Sequence, residues 1–368
     1  MRKLGISIYP SHQDLAKMKK YVSEAHKNGF TRIFSSLLEI SDIKNVDKSI
    51  KNYKLIFEYA NELGFDICLD VNPNIFNILK ISPHDLSFFN DLHVKTLRLD
   101  LPFDSKTESE MTYNKYGINI EVNMSNGTKY IDNILSYMPL KDRLISCHNF
   151  YPQRNCGLDL DFFKRISNDT KKLGIKTAAF VTSSNGVTGP WPISDGLPTL
   201  EMHRDLPITT QAKHLWATGY IDDVIIGNAF ASDEELRELG KLNRYILELD
   251  VEFKPKTTKL EKEIVLDFDH FRRGDISGQI VRSTMSRVFY KNSKFPAHDN
   301  KNLLKKGDLV VCNDDLKNYK GEFQLLLQSS EKDERKNLVA KVVDEEKFLI
   351  DYIVPWSRFK FRNGGKNE

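Results

Sequence analysis

Across the first two thirds of the chain, short and almost uninterrupted apolar runs alternate with amphipathic segments, a pattern that few architectures satisfy. Leu4–Ile8 reads as a buried strand. Asp14 then opens a segment with Leu15, Met18, Val22 and Ala25 on one helical face, and Asn28-Gly29 stops it. Arg32–Leu37 follows as a second strand, Asn52–Leu63 as a helix closed by Gly64, and Asp66–Val71 as a third strand before the turn at Asn72-Pro73. The period continues through strands at Thr96–Leu99, Ile118–Asn123, Leu144–His148, Lys176–Val181 and Val224–Gly227. Helical patterns fall at Lys129–Met138, Leu160–Leu173, Ile208–Ala217 and Asp233–Leu247. Strands apolar on both faces are buried on both faces, as in a parallel sheet covered by helices. Eight βα units fit the roughly 250 residues of a (β/α)8 TIM barrel better than an open doubly wound sheet. Neither GxGxxG after the first strand nor a GxxxxGKS/T loop occurs, so the two common nucleotide fingerprints are missing.

The texture changes near Asp250. Short runs at Glu263–Phe268, Gly278–Ser283, Asp308–Val311, Glu322–Leu327, Leu338–Val343 and Phe348–Ile353 replace the long helical periods, and predict a small barrel-like β domain over residues 250–368 behind a catalytic barrel over 1–249. Its polar stretch Ser329–Asn337 reads as a solvated hairpin tip. With 40% hydrophobic and 29% charged residues, the 368-residue chain has the composition of an ordinary globular protein. Lys+Arg 54 against Asp+Glu 51 leaves a net +3, too balanced for a phosphate-neutralising face, so no nucleic-acid partner is expected. No apolar run approaches the roughly 20 residues of a membrane helix, and Met1-Arg2-Lys3 leads into a strand without a signal-peptide core; a cytoplasmic location without a membrane partner is the expectation. Cys68, Cys147, Cys156 and Cys312 form no CxxC pair, and neither a disulfide framework nor a metal or other cofactor is expected.

In a TIM barrel the chemistry sits at the carboxyl ends of the strands and in the loops that follow. That rule selects Ser7 and Tyr9, Ser35 and Ser36, Asp70 and Asn72, Asp100, Glu121 and Asn123, then His148, Asn149 and Tyr151, Thr182, and Asn228 from the eight strands in turn. Asp70 and Asp100 each close an apolar strand, where an unpaired carboxylate is costly to bury, so each needs a partner or a task. Glu121 is held in reserve. The long loop from Ser183 to about Leu206 carries Trp191, an aromatic suited to a sugar face, and then Glu201, His203 and Arg204: an acid, a titratable ring and a fixed cation. Phosphate in this fold is commonly held after the seventh and eighth strands, where Gly227-Asn228-Ala229 leads to Ser232-Asp233 and could act with Arg204. His12, His84, His93 and His298 read as surface or turn residues without a role.

Several strings are more specific. Cys147-His148-Asn149-Phe150-Tyr151-Pro152, Gly196-Leu197-Pro198-Thr199-Leu200-Glu201-Met202-His203-Arg204 and Leu97-Arg98-Leu99-Asp100 resemble the bacterial 6-phospho-N-acetylmuramidase family. So do Gly5-Ile6-Ser7-Ile8-Tyr9-Pro10 at the start and Tyr319-Lys320-Gly321-Glu322-Phe323-Gln324 in the last third, so the resemblance spans both domains. It implies a TIM barrel followed by a cyclophilin-like β domain. It also implies cytoplasmic hydrolysis of the β-1,4 bond in N-acetylmuramic acid 6-phosphate–N-acetylglucosamine during cell-wall recycling, with the phosphorylated disaccharide as partner. Glycoside hydrolysis uses two carboxyl groups across the scissile bond, unless a substrate acetamido group replaces one. The catalytic candidates are Asp70, Asp100 and Glu201, the last as an acid on the loop. Ser7, Tyr9, Asn123, His148, Asn149, Tyr151, His203, Arg204 and Asn228 are the candidate substrate-binding residues, with His203 and Arg204 placed on the 6-phosphate or lactyl carboxylate. The rival readings are a metal-dependent sugar-phosphate isomerase or epimerase using Asp70, Asp100, His148 and Glu201, and a non-catalytic sugar-phosphate-binding protein.

Overall fold

The structure is a computed structural model and describes residues 1–11, 13–38, 46–191, 195–301 and 303–364, with side chains from 49 onward in the second helix. His12 and Pro192 therefore lie outside the described residues. Two units divide the chain, Met1–Lys241 and Leu242–Glu368.

In the first unit eight parallel strands close into a barrel in sequence order: β1 Leu4–Ser7, β2 Arg32–Ser36, β3 Asp66–Val71, β4 Val94–Leu99, β5 Asn119–Asn123, β6 Leu144–Cys147, β7 Lys176–Val181 and β8 Asp223–Ile226. Strand β8 returns to β1 through Leu4↔Val224 and Gly5↔Ile225. The TIM barrel expected from the apolar runs is thus present. Local chemistry sets its helices. Asp14 caps Leu15–Lys27 by accepting from Lys17 N, Asp159 caps Leu160–Lys172 in the same way, and Asn72 accepts from Ile75 N at the start of Pro73–Leu79. This last helix and Ser105–Met111, capped by Asp104, are short pieces that the sequence period did not resolve.

Inside the barrel, Phe34, Cys68, Cys147, Ala178, Phe180 and Ile225 form one layer with Tyr9 and Ala229. Towards the amino ends of the strands an ionic layer takes over: Arg32 bonds Glu121 and lies 3.1 Å from Asp223, and Lys176 lies 2.7 Å from Asp223. Glu121, the reserve candidate, is therefore consumed by this buried network and by a bond from Cys68 Sγ. Above the apolar layer the interior becomes polar again, and that is where the mouth begins.

The second unit holds a seven-stranded, nearly closed sheet in the order β10-β15-β9-β14-β12-β13-β11. Its strands are β9 Leu247–Phe253, β10 His270–Phe271, β11 Ile280–Ser283, β12 Asp308–Cys312, β13 Phe323–Leu326, β14 Lys336–Val342 and β15 Arg358–Asn363. All neighbours are antiparallel except β15 and β9. Several sequence expectations fail here. Strand β9 runs through the boundary set between 249 and 250, and the preceding helix stops at Lys241 instead of Leu247. Of Glu263–Phe268, the stretch up to Leu266 lies in a helix, Lys259–Leu266, started by a capping box in which Thr258 and Glu261 exchange bonds. Of Phe348–Ile353, all but Ile353 belongs to a 3-10 segment over Asp344–Tyr352. The exposed stretch after β13 is no hairpin tip, because β13 and β14 lie on opposite sides of β12.

Candidate active site

Alternation along a strand dictates which side chains reach the barrel mouth. Cys68 belongs to the interior layer, so Asp70, two residues further on the same strand, points inward as well. Register then aligns Asp70 with Ser36 on β2 and with Arg98 on β4, and Asp100 follows Arg98 by two. The result is a polar group at the carboxyl end of β2–β4. Arg98 Nη1 lies 2.5 Å from Asp70 Oδ1 and 3.4 Å from Asp100 Oδ1, while its Nη2 donates to Asn149 Oδ1. Ser36 Oγ donates to Asp70 Oδ2 at 3.4 Å. Asp70 and Arg98 are buried, and Asp100 stands at the rim with 32% of its side chain exposed.

These five residues line a cavity of about 140 Å³. Phe150, Trp191, Leu38, Pro152 and Pro190 form its apolar wall. Phe150 is fixed edge-on against Phe34 and Phe180 of the barrel interior, and Trp191 lies 6.5 Å from it, half exposed. Burial raises the Asp70 carboxyl to about 7; Arg98 opposes the rise and Asp100 adds to it. Tyr151 is raised by burial too, against a hydrogen bond from Ser125 and the charge of Arg98.

Glu201 and Arg204 are elsewhere and do other work. Arg204 Nε and Nη2 bind the two oxygens of Glu201 at 2.7 and 2.6 Å; its remaining donors go to the carbonyls of Tyr151, Asp195 and Gln153. All five N–H donors of the guanidinium are thereby used. Glu201 also accepts from the backbone N–H groups of Asn155 and Gly157, both at 2.8 Å. The Arg204 bonds hold its carboxyl down at about 2. A carboxylate with that many donors is no proton donor, and an arginine without a free N–H is no phosphate ligand. The pair is a clamp that joins the loop after β6 to the loop after β7. Gly157 shows how tight it is, since a Cβ there would stand 2.7 Å from Glu201 Oε2.

Most of the other predicted binders are also structural. His148 is fully buried between Ser125 Oγ at 3.1 Å and Ser167 Oγ at 2.9 Å, against Phe163, and burial lowers it to about 3. His203 pairs with His214 at 2.7 Å and burial drives it well below its ordinary value. Ser7 donates to Ile226 O and Tyr9 to Gly227 O. Asn123 accepts from Ser125 N. Asn228 binds Thr182, Ser183 and Gly186 through both ends of its amide. The helix start after β8, where phosphate was expected, is occupied by an internal carboxylate: Glu235 accepts from Ser232 N, Ser184 N and Ser183 Oγ. Of the sequence candidates the structure therefore gathers Ser36, Asp70, Asp100 and Asn149. Arg98 and Phe150 are the residues missed as members of the site. The register of β3 and β4 is the signal that would have found Arg98. Among the described residues no three of His, Cys, Asp and Glu converge as metal ligands, and His148 and Glu201 are not neighbours of the Asp70–Asp100 pair.

At the carboxyl ends of a (β/α)8 barrel the structure thus holds two carboxyls bridged by an arginine beside an aromatic wall. The chain belongs to the 6-phospho-N-acetylmuramidase family: the model of its N-terminal domain matches residues 4–241 and that of its C-terminal domain residues 247–362. It is accordingly a glycosidase. Among solved structures it is similar to an uncharacterized B. cereus protein, at 47% identity and a TM-score of 0.91, over 98% of this chain and 99% of that one. It shares its fold with a conserved Enterococcus faecalis protein of unknown function, at 23% identity and a TM-score of 0.74, over 99% and 97%. No curated protein matches the chain. No helix among the described residues is long and apolar enough to cross a membrane.

Proposed function

We propose that the protein hydrolyses the β-1,4 bond of N-acetylmuramic acid 6-phosphate–N-acetylglucosamine in cytoplasmic peptidoglycan recycling, with Asp70 and Asp100 as the reacting carboxyls. The observation that carries this reading is the single guanidinium that holds both carboxyls beside a wall of Phe150 and Trp191. Asp70, raised by burial, keeps a proton into the neutral range and hands it to the leaving oxygen. Asp100 meets the sugar carbon, directly or by orienting the substrate's acetamido oxygen. Because one Nη1 atom touches an oxygen of each, those oxygens are at most about 6 Å apart. Inverting enzymes leave roughly 6.5–9.5 Å for a water, so the spacing favours net retention, through an enzyme-bound or substrate-assisted intermediate. The unpaired cysteines, with Cys156 exposed, suit a reducing compartment.

The test is incubation with the phosphorylated disaccharide and its unphosphorylated twin, with and without chelator, following products by mass and the first-formed anomer by NMR. Chelator-insensitive cleavage of the phosphorylated form, giving the β anomer first, is the expected result. Binding without cleavage, or conversion without change of mass, would overturn the reading in favour of a sensor or an isomerase.

A further inference from the structure

In the second unit two arginines converge on one buried carboxylate. Tyr319-Lys320-Gly321-Glu322 forms a tight turn in which Glu322 N donates to Tyr319 O at 2.8 Å. Gly321 takes φ +78°, and a Cβ there would stand 2.9 Å from the Phe295 ring, so the turn admits only glycine without strain. It drives Glu322 into the interior, fully buried, where Arg282 of β11 binds it through Nε and Nη2 at 2.8 and 3.1 Å. Arg287 approaches the same carboxylate from the helix Met285–Phe289, with Nη1 at 3.2 Å. Both guanidiniums lie over the Tyr319 ring, at 5.7 and 4.9 Å from its centroid.

Two cations therefore share one carboxylate, and a unit of positive charge is left over at a place where like charges are held close. Each arginine keeps about a quarter of its side chain exposed. No protein acceptor meets Arg282 Nη1 or Arg287 Nη2 among the described residues, in contrast to Arg204, whose five donors are all taken. Beside them Gln324 is 95% buried with its Oε1 unpartnered, and its Nε2 bonds Glu322. A fixed pair of forks with open N–H donors, next to an aromatic face and an amide acceptor, matches a tetrahedral oxyanion carried on a polar ring.

We propose that Arg282, Arg287 and Tyr319 form an anion site of the second unit that takes a phosphate monoester, of the sugar-phosphate class, independently of the reaction in the barrel. Isothermal titration of the full chain with inorganic phosphate and with glucosamine 6-phosphate tests it. The wild type and an Asp70→Asn/Asp100→Asn variant should bind alike. Arg287→Gln should lose affinity about tenfold or more, the scale of one charge-assisted contact. Glucosamine 6-phosphate should bind more tightly than phosphate, and Tyr319→Leu should abolish that advantage. Arg287 is preferred to Arg282 for substitution because Arg282 holds the buried Glu322 bidentately; Tyr319→Leu, which removes no hydrogen bond of that pair, guards against a folding defect. Undiminished binding in both Arg287→Gln and Tyr319→Leu, loss in the Asp70→Asn/Asp100→Asn variant, or no saturation at tens of millimolar (about 50 mM, where such a contact pair should be filled) would overturn it.

Discussion

Two carboxylate–arginine groups at the same end of the barrel use the same chemistry for opposite ends. Glu201 and Arg204 meet face to face, with both oxygens and every N–H accounted for, and the carboxyl is locked in its charged form. Asp70, Arg98 and Asp100 are mismatched: two acids compete for one Nη1, Arg98 Nε is buried without an acceptor, and burial pushes Asp70 towards its neutral form. Complete satisfaction makes a fastener. Incomplete satisfaction leaves a proton that can move and donors that can change partner, which is the state that catalysis needs.

The sharpest way to break this contrast is to neutralise each acid in turn. Asp70→Asn and Asp100→Asn should each lower kcat by about a thousandfold, within the range of a lost proton-transfer or covalent step, without lowering the melting temperature at neutral pH. Glu201→Gln should do the reverse. The almost fully buried Arg204 would lose its counter-charge, at a cost of about 2–3 kcal/mol, or roughly 5–10 °C in thermal unfolding of a unit this size. The folded fraction should retain kcat within tenfold. A thousandfold loss of kcat in Glu201→Gln at unchanged stability would return the acid role to the loop.

The barrel was legible because parallel strands covered on both faces write their burial as continuous apolar runs, and Leu4–Ile8 or Ile67-Cys68-Leu69 have few other readings. The second unit was less so. Glu263–Phe268 is as apolar as a strand, and only the Thr258-Lys259-Leu260-Glu261 cap marks it as helical. Conversely, Arg358–Asn363 alternates Phe359 and Phe361 into the core, a period of two that is easily passed over beside a charged terminus. At the site, position along a strand pointed to Asp70 and Asp100, which the fold brings onto one guanidinium. It could not separate them from Glu201, His148 or Asn228, because a residue's type and place do not reveal how many of its hydrogen bonds are already spent on the backbone. Arg204 resembled an anion ligand in sequence until its five partners were counted.

The expectation that discriminates best is one of sign, because the two acids should impose opposite slopes on stability against pH. Asp70 is raised from 3.8 to about 7 in the folded protein, so between those values the folded state holds more protons than the unfolded one and stability falls as pH rises. Removing the group by Asp70→Asn should therefore give a variant that gains on the wild type from pH 4 to pH 7, by at most about 1.4 kcal/mol per pH unit. Glu201 is lowered from 4.5 to about 2, so its contribution is complete above 4.5 and is lost as pH falls towards 2. The deficit of Glu201→Gln should then be constant near neutrality and shrink below pH 4.5. In the kinetics, Asp70 as proton donor predicts an alkaline limb near pH 7, kept in Glu201→Gln and shifted in Asp70→Glu. Denaturant titrations of the three proteins at several pH values measure the slopes directly. Parallel slopes for the two variants would mean that the mouth acid is held as firmly in its charged form as the clamp, and the proton donor would have to be sought at Asp100.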